Sequence, residues 1–300
     1  MKYVLTVLLA GLVLIVPPAQ ATLNVLTCEP EWAALTHELA GDLAQVSSAT
    51  TALQDPHHIE ARPALLAQAR RADLLVCTGA ELEIGWLPLL QREAGNGKIQ
   101  PGQPGYLEAA RIARIIERPT ALDRSMGDIH AAGNPHLQMD PHNIARVGEA
   151  LAKRLGELDP AHAARYAERN RDFQARWTAA MARWEQQGAR LKGVPVVVHH
   201  RNWSYLIDWL GLTVIGELEP KPGMEPTASH LAELLGTLKA TPARMVLHAA
   251  YESPKASEWL SSRANIPAVE LPYTVGGSPA AQDLFGLFDD TLNRLLQAAP

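Results

Sequence analysis

Short apolar runs alternate with helical patterns through most of the chain. After residue 21, LNVLTC reads as a strand, EPEWAALTHELAGDL as a helix, AQVSSATT as a strand, RPALLAQARRA as a helix and ADLLVCTG as a strand. This rhythm predicts βαβ units and a parallel sheet covered by helices. From Pro141 the pattern changes. NIARVGEALAKRLGEL and PAHAARYAERNRDFQARWTAAMARWEQQGARL follow one another with only Asp159-Pro160 between them. Asp159 suits an N-cap and Pro160 a first helical turn. At 1.5 Å per residue the second stretch spans roughly 45 Å, enough to cross a whole domain. The βα rhythm then resumes. VPVVVHH, LTVIGEL, ARMVLHA and PAVELP read as strands; NWSYLIDWLG, SHLAELLGTLKA, PKASEWLSSRAN and AAQDLFGLFDDTLNRLLQ read as helices. The expected fold is α/β, with two parallel-sheet lobes over residues 22–158 and 193–300 joined by one long rigid helix over residues 159–192. No sequence repeat relates the lobes. Ligands of open parallel sheets bind outside the carboxyl ends of the strands, so the cleft between the lobes is the expected site.

Residues 1–21 read as a signal peptide. Met1-Lys2 gives a minimal positive start, Tyr3 to Val16 is nearly all apolar, and Ala19-Gln20-Ala21 fits the small-residue cleavage rule. The apolar run is short for a membrane span, which takes roughly 20 residues. A periplasmic location follows as an expectation. Export permits a disulfide. Cys28 and Cys77 each close a strand-like run; neighbouring parallel strands place such ends roughly 5 Å apart. A disulfide and two buried thiols both stay open.

The composition of the 300 residues, 47% apolar and 20% charged, is that of a globular chain. A net charge of −5 argues against a nucleic-acid surface. The eleven histidines change the picture more. Three segments concentrate them: DPHHIEARP with His57 and His58, GNPHLQMDPHN with His136 and His142, and VVVHHRNWSYL with His199 and His200. Each lies at a strand end or in a loop facing the expected cleft. One such histidine alone is as well explained by a surface or capping role, but three imidazoles from separate segments suit zinc or a similar borderline metal. An exported zinc hydrolase is the rival class. It needs an open coordination position and a general base, yet the chain has neither HExxH nor a Ser-centred nucleophile elbow, so no enzyme is expected.

In this order and spacing, the segments resemble those of the periplasmic metal-binding proteins of zinc/manganese ABC importers, the cluster A-I solute-binding family with a rigid helix between lobes. DPHHIEARP resembles the first ligand segment, NPHLQMDP the second and VVVHHRNWSYLIDWLGL the third, while ELEPKPGMEPTASHL resembles a segment that shapes the cleft. The resemblance covers essentially the whole chain after residue 21. It implies a metal site of His57, His136 and His200, with His58, His142 and His199 beside it as non-ligands. His199 is expected on the opposite face of its strand. The family's fourth ligand is a carboxylate near the last strand. Here Leu271, Pro272 and Tyr273 occupy that place, and Asp283 is the nearest downstream acid, with Glu270, His248 or water as alternatives. Asp283 is equally explained as a first-turn acid of the last helix. The loop RSMGDIHAAG, with Asp128 and His130, is short where zinc members of the family carry a long His-rich one. Three imidazoles and at most one carboxylate favour Zn2+ over manganese, whose sites are richer in oxygen. The resemblance thus implies a zinc-capturing protein that serves an ABC importer permease in the inner membrane. A zinc metallochaperone is a second candidate partner, no nucleic acid is expected, and the chain is expected to act as a monomer. A manganese or other divalent-metal protein, or an adhesin on the same scaffold, is the alternative.

Overall fold

The computed structural model describes residues 22–120, 127 and 130–299. Residues 1–21, the expected signal peptide, and Asp128 lie outside the described residues. Among the described residues, two four-stranded sheets form, all of whose pairs are parallel. The first contains β1 (Leu23–Thr27), β2 (Ala44–Ser48), β3 (Leu74–Cys77) and β4 (Tyr106–Glu108) in the order β2-β1-β3-β4. The second contains β5 (Pro195–Val198), β6 (Thr213–Glu217), β7 (Met245–Ala249) and β8 (Ala268–Leu271) in the order β6-β5-β7-β8. The two halves thus repeat one topology although no sequence repeat relates them.

The central strands are buried along their length, as parallel strands covered on both faces must be. Strand β4 has only three residues, too few to show alternation in the sequence. It is placed by Gly105, where an added Cβ would lie 2.5 Å from the Lys98 carbonyl oxygen and 2.6 Å from that of Asp73. The paired ends of β1 and β3 carry Cys28 and Cys77, joined as a disulfide with a Cα separation of 4.8 Å.

Helix α1 (Pro30–Ala40) follows β1, α2 (Pro63–Arg71) precedes β3, and α3 (Leu87–Ala94) follows it. Helix α4 (Pro141–Leu158) starts at Asp140, whose Oδ1 accepts the His142 N–H at 2.9 Å, with Pro141 in the first turn. A single 3-10 turn separates it from α5 (Ala163–Gly188), a helix of 26 residues. Tyr166, Phe173, Trp177, Ala180 and Trp184 form the buried stripe of α5 at helical spacing. Its two tryptophans are also tied by their indole N–H groups, Trp177 to the Pro141 carbonyl at 2.8 Å and Trp184 to Asp289 at 2.6 Å. The second lobe adds α6 (Ser204–Leu210), α7 (Ala228–Ala240), α8 (Lys255–Ala264) and α9 (Leu284–Ala298). Gly188 lets α5 approach α6 closely, since a Cβ there would meet Leu210 at 2.6 Å. The long helix is no isolated strut. One apolar cluster runs from Val25 and Trp32 through Phe173 and Trp177 to Val198 and Phe288, so both lobes share a core through α5. Among the described residues no helix is long and apolar enough to cross a membrane.

Candidate metal centre

The carboxyl ends of both sheets face one another, and the histidine segments lie there. His57 is on the loop after β2. Asp55 Oδ1 accepts the His57 backbone N–H at 3.0 Å and holds its Nδ1 at 2.7 Å. The Trp86 indole donates to the Pro56 carbonyl at 2.8 Å and pins this loop to the first lobe. His136 sits on the turn before α4. Asn134 Oδ1 accepts its N–H at 2.9 Å, while the Asn134 amide donates across to the Arg201 carbonyl at 2.9 Å. Tyr205 donates its hydroxyl back to the Asn134 carbonyl at 2.7 Å. The turn carrying His136 is therefore stitched to the second lobe. His200 lies just beyond the end of β5, with Nδ1 2.7 Å from Glu219 Oε2. Glu219 itself follows β6 and accepts the Gly223 N–H at 2.9 Å.

The structure brings His57, His136 and His200 together, with one donor atom from each lying within 4.8 Å of the other two. In every case Nδ1 is engaged: by Asp55 for His57, by Tyr273 at 2.7 Å for His136, and by Glu219 for His200. That leaves the three Nε2 atoms to face the shared space, and His57 Nε2 is buried with no hydrogen-bond partner. This is the arrangement in which a second partner fixes tautomer and ring orientation for metal binding. A tetrahedral zinc with nitrogen bonds of about 2.0–2.1 Å needs donors roughly 3.3 Å apart, so modest ring shifts close the site. Next to the triad, a cavity of about 280 Å³ is lined by His57, His200, Glu219 and Glu252 among others.

The electrostatics differ among the three. Burial, then the neighbouring His57 and His200, hold His136 well below the ordinary imidazole value, so it stays neutral and ready to bind a cation. Burial also pulls on His200, but the Glu219 hydrogen bond and charge outweigh it and raise its value. Asp55 is pushed up by burial, yet its bond to His57 brings it below the usual carboxylate range.

Other predicted residues fall elsewhere. Asp283 is not among the side chains brought together. It is the N-cap of α9, its Oδ1 accepting the Gly286 N–H at 2.7 Å, and it lines a separate groove with His37 and Glu38. The helix start competes for its carboxylate and keeps it at the surface. Glu270 is half exposed, and His248, buried on β7, stands 3.9 Å from it. His142 is 43% exposed and caps α4 through Asp140. His199 departs from the expectation of an opposite strand face. Strand β5 stops at Val198, so alternation no longer applies, and His199 lines the same cavity as His200. It lies 3.8 Å from Glu252, a buried acid pushed up to about 7 by its desolvation.

Sequence reasoning did not give Tyr273 and Glu219 their places as Nδ1 partners. Tyr273 had a signal, because it stands where the family pattern has an acid. A buried acid cluster also went unread. Glu29, Glu31 and Glu83 are all buried at the carboxyl end of the first sheet. Thr78 donates its hydroxyl to Glu29 at 2.9 Å and its N–H to Glu83 at 2.7 Å, and Thr274 donates to Glu31 at 2.5 Å. Glu29 Oε1 and Glu31 Oε1 have no partner.

The crystal structure of a ZnuA superposes with a TM-score of 0.78 at 23% identity, covering 93% of this chain and all of that one. The zinc-uptake protein ZnuA of Brucella abortus is 26% identical over 120 residues, 40% of this chain and 36% of that protein. The iron-binding protein YfeA of Yersinia pestis is 30% identical over 141 residues, 47% of this chain and 40% of that protein. The aligned stretches thus span well under half of these curated relatives. The model of one family, by contrast, matches nearly all of the chain, from residue 25 to residue 298, and the chain belongs to that family: ZnuA, the periplasmic component A of the zinc-uptake complex.

Proposed function

We propose that this chain captures Zn2+ in the periplasm and delivers it to the permease of an ABC importer, with His57, His136 and His200 as ligands. The observation that carries the reading is the convergence of three imidazoles whose Nδ1 atoms are all engaged, leaving three Nε2 atoms for one ion. No carboxylate joins the group among the described residues, and an all-nitrogen donor set favours zinc over manganese. Residues 1–21 serve as the export signal in this reading, and Zn2+ is cargo rather than a catalytic cofactor. The relative named for iron supports a second reading, another divalent cargo on the same scaffold.

The test is a chelator-competition titration of metal-stripped protein. His57→Ala, His136→Ala and His200→Ala are each expected to weaken zinc by more than the 10–100-fold typical of lost supporting contacts. His142→Ala, at an exposed cap, is expected to leave affinity unchanged. Wild-type affinity in all three variants, or manganese bound more tightly than zinc, refutes the reading.

A further inference from the structure

A fourth imidazole stands beside the trio, outside the group whose donor atoms all lie within 4.8 Å of one another. The rings of His57, His136 and His200 stand 5.3, 5.8 and 5.4 Å apart between centroids. The ring of His130 stacks on His57 at 5.5 Å and meets His136 edge-on at 6.4 Å. Its Nε2 is buried and has no hydrogen-bond partner, as is true of His57 Nε2. His130 thus brings a further partnerless ring nitrogen to the side of the trio. A buried polar atom without a partner is costly, and a metal ion among the four rings supplies the missing partner.

The support behind His130 is built for the purpose. Gly79, Ala80 and Glu81 take φ values of 76°, 49° and 69° in succession. Two non-glycine residues in the left-handed region are strained and persist only where surrounding structure holds them. Here the strained turn presents Glu81 to the histidine loop through its carboxylate, which accepts the Ala131 N–H at 2.5 Å.

Resting on the reading of His57, His136 and His200 as ligands, we propose that His130 Nε2 is the fourth protein ligand, so that the cargo ion is held by four imidazoles. Asp283 is committed to a helix cap in a different groove. Four protein ligands close the coordination sphere, as in sites that hold zinc rather than use it. Four nitrogens also strengthen the bias against manganese.

Cobalt(II) is the probe. Bound imidazoles give strongly shifted exchangeable N–H proton resonances, and here the Nδ1 atoms of His57, His136 and His200 each have a partner that protects the proton. Wild-type protein loaded with cobalt is expected to show four such resonances, and His130→Gln three, with zinc affinity at least about 10-fold weaker. Asp283→Asn should retain four. Three resonances in the wild type that persist in His130→Gln overturn the proposal, as do four that persist. Fewer than three in the wild type overturns the three-histidine reading itself, and this inference with it.

Discussion

His136 and Tyr273, one before α4 and the other just past β8, meet through a 2.7 Å contact between ring Nδ1 and phenol oxygen. Burial, then the neighbouring Tyr251 and Glu31, lift the tyrosine far above its ordinary value. It therefore remains a neutral hydroxyl, whereas His57 and His200 lean on carboxylates. Tyr273→Phe removes this anchor and little volume. Zinc affinity is expected to fall about 10–100-fold with unchanged far-ultraviolet circular dichroism. Undiminished affinity in competition titrations shows that the hydroxyl does not orient His136.

Asp283→Ala separates capping from coordination. Zinc affinity should be unchanged, while the lost bond to Gly286 lowers stability by about 1 kcal/mol in denaturant unfolding. A large loss of zinc affinity restores Asp283 to the site.

Asp283 also shows where sequence reading stops. The alternation of apolar runs and the long helix were legible because parallel strands and amphipathic helices impose their periods on the sequence. The histidine segments were legible because they sit at strand ends, where ligand sites form. Two short elements, β4 and α3, were not. The first is too brief for a period, and the second hides in a loop-like stretch rich in turns. The candidate fourth ligand could not be read either. The family resemblance pointed to an acid near the last strand, whereas a partnerless ring nitrogen beside the trio is on His130, in a loop that the Gly79–Glu81 turn meets through Glu81 and Ala131.

The buried acids predict a pH effect. Burial raises Glu29 well above 4.5, with Glu83 and Glu31 adding repulsion, and it lifts Glu31 and Glu83 to about 7. Groups whose folded value is raised contribute stability in full below their unfolded value, near 4.5. For Glu31 and Glu83 that contribution is lost as pH climbs through about 7. Glu31→Gln removes one charge from the cluster. Its melting temperature, measured on metal-free protein, should exceed the wild type's by a few degrees at pH 8, and the gap should vanish near pH 4.5. A gap independent of pH contradicts this account. Comparing the two proteins cancels the opposite contribution of the depressed histidines His130 and His136.

Because α5 belongs to the core of both lobes, metal binding should not drive a large hinge closure. Small-angle scattering with and without zinc should give the same radius of gyration within error. A marked compaction on loading refutes the rigid-helix account.

The last helix has a bearing on how the molecule is made. Leu284, Phe288, Leu292 and Leu295 of α9 complete the same apolar cluster that Trp32 and Leu35 of α1 begin. A chain emerging amino end first cannot finish burying its first helix until its final segment arrives. The terminal turns of α9 are therefore a sensitive place for truncation.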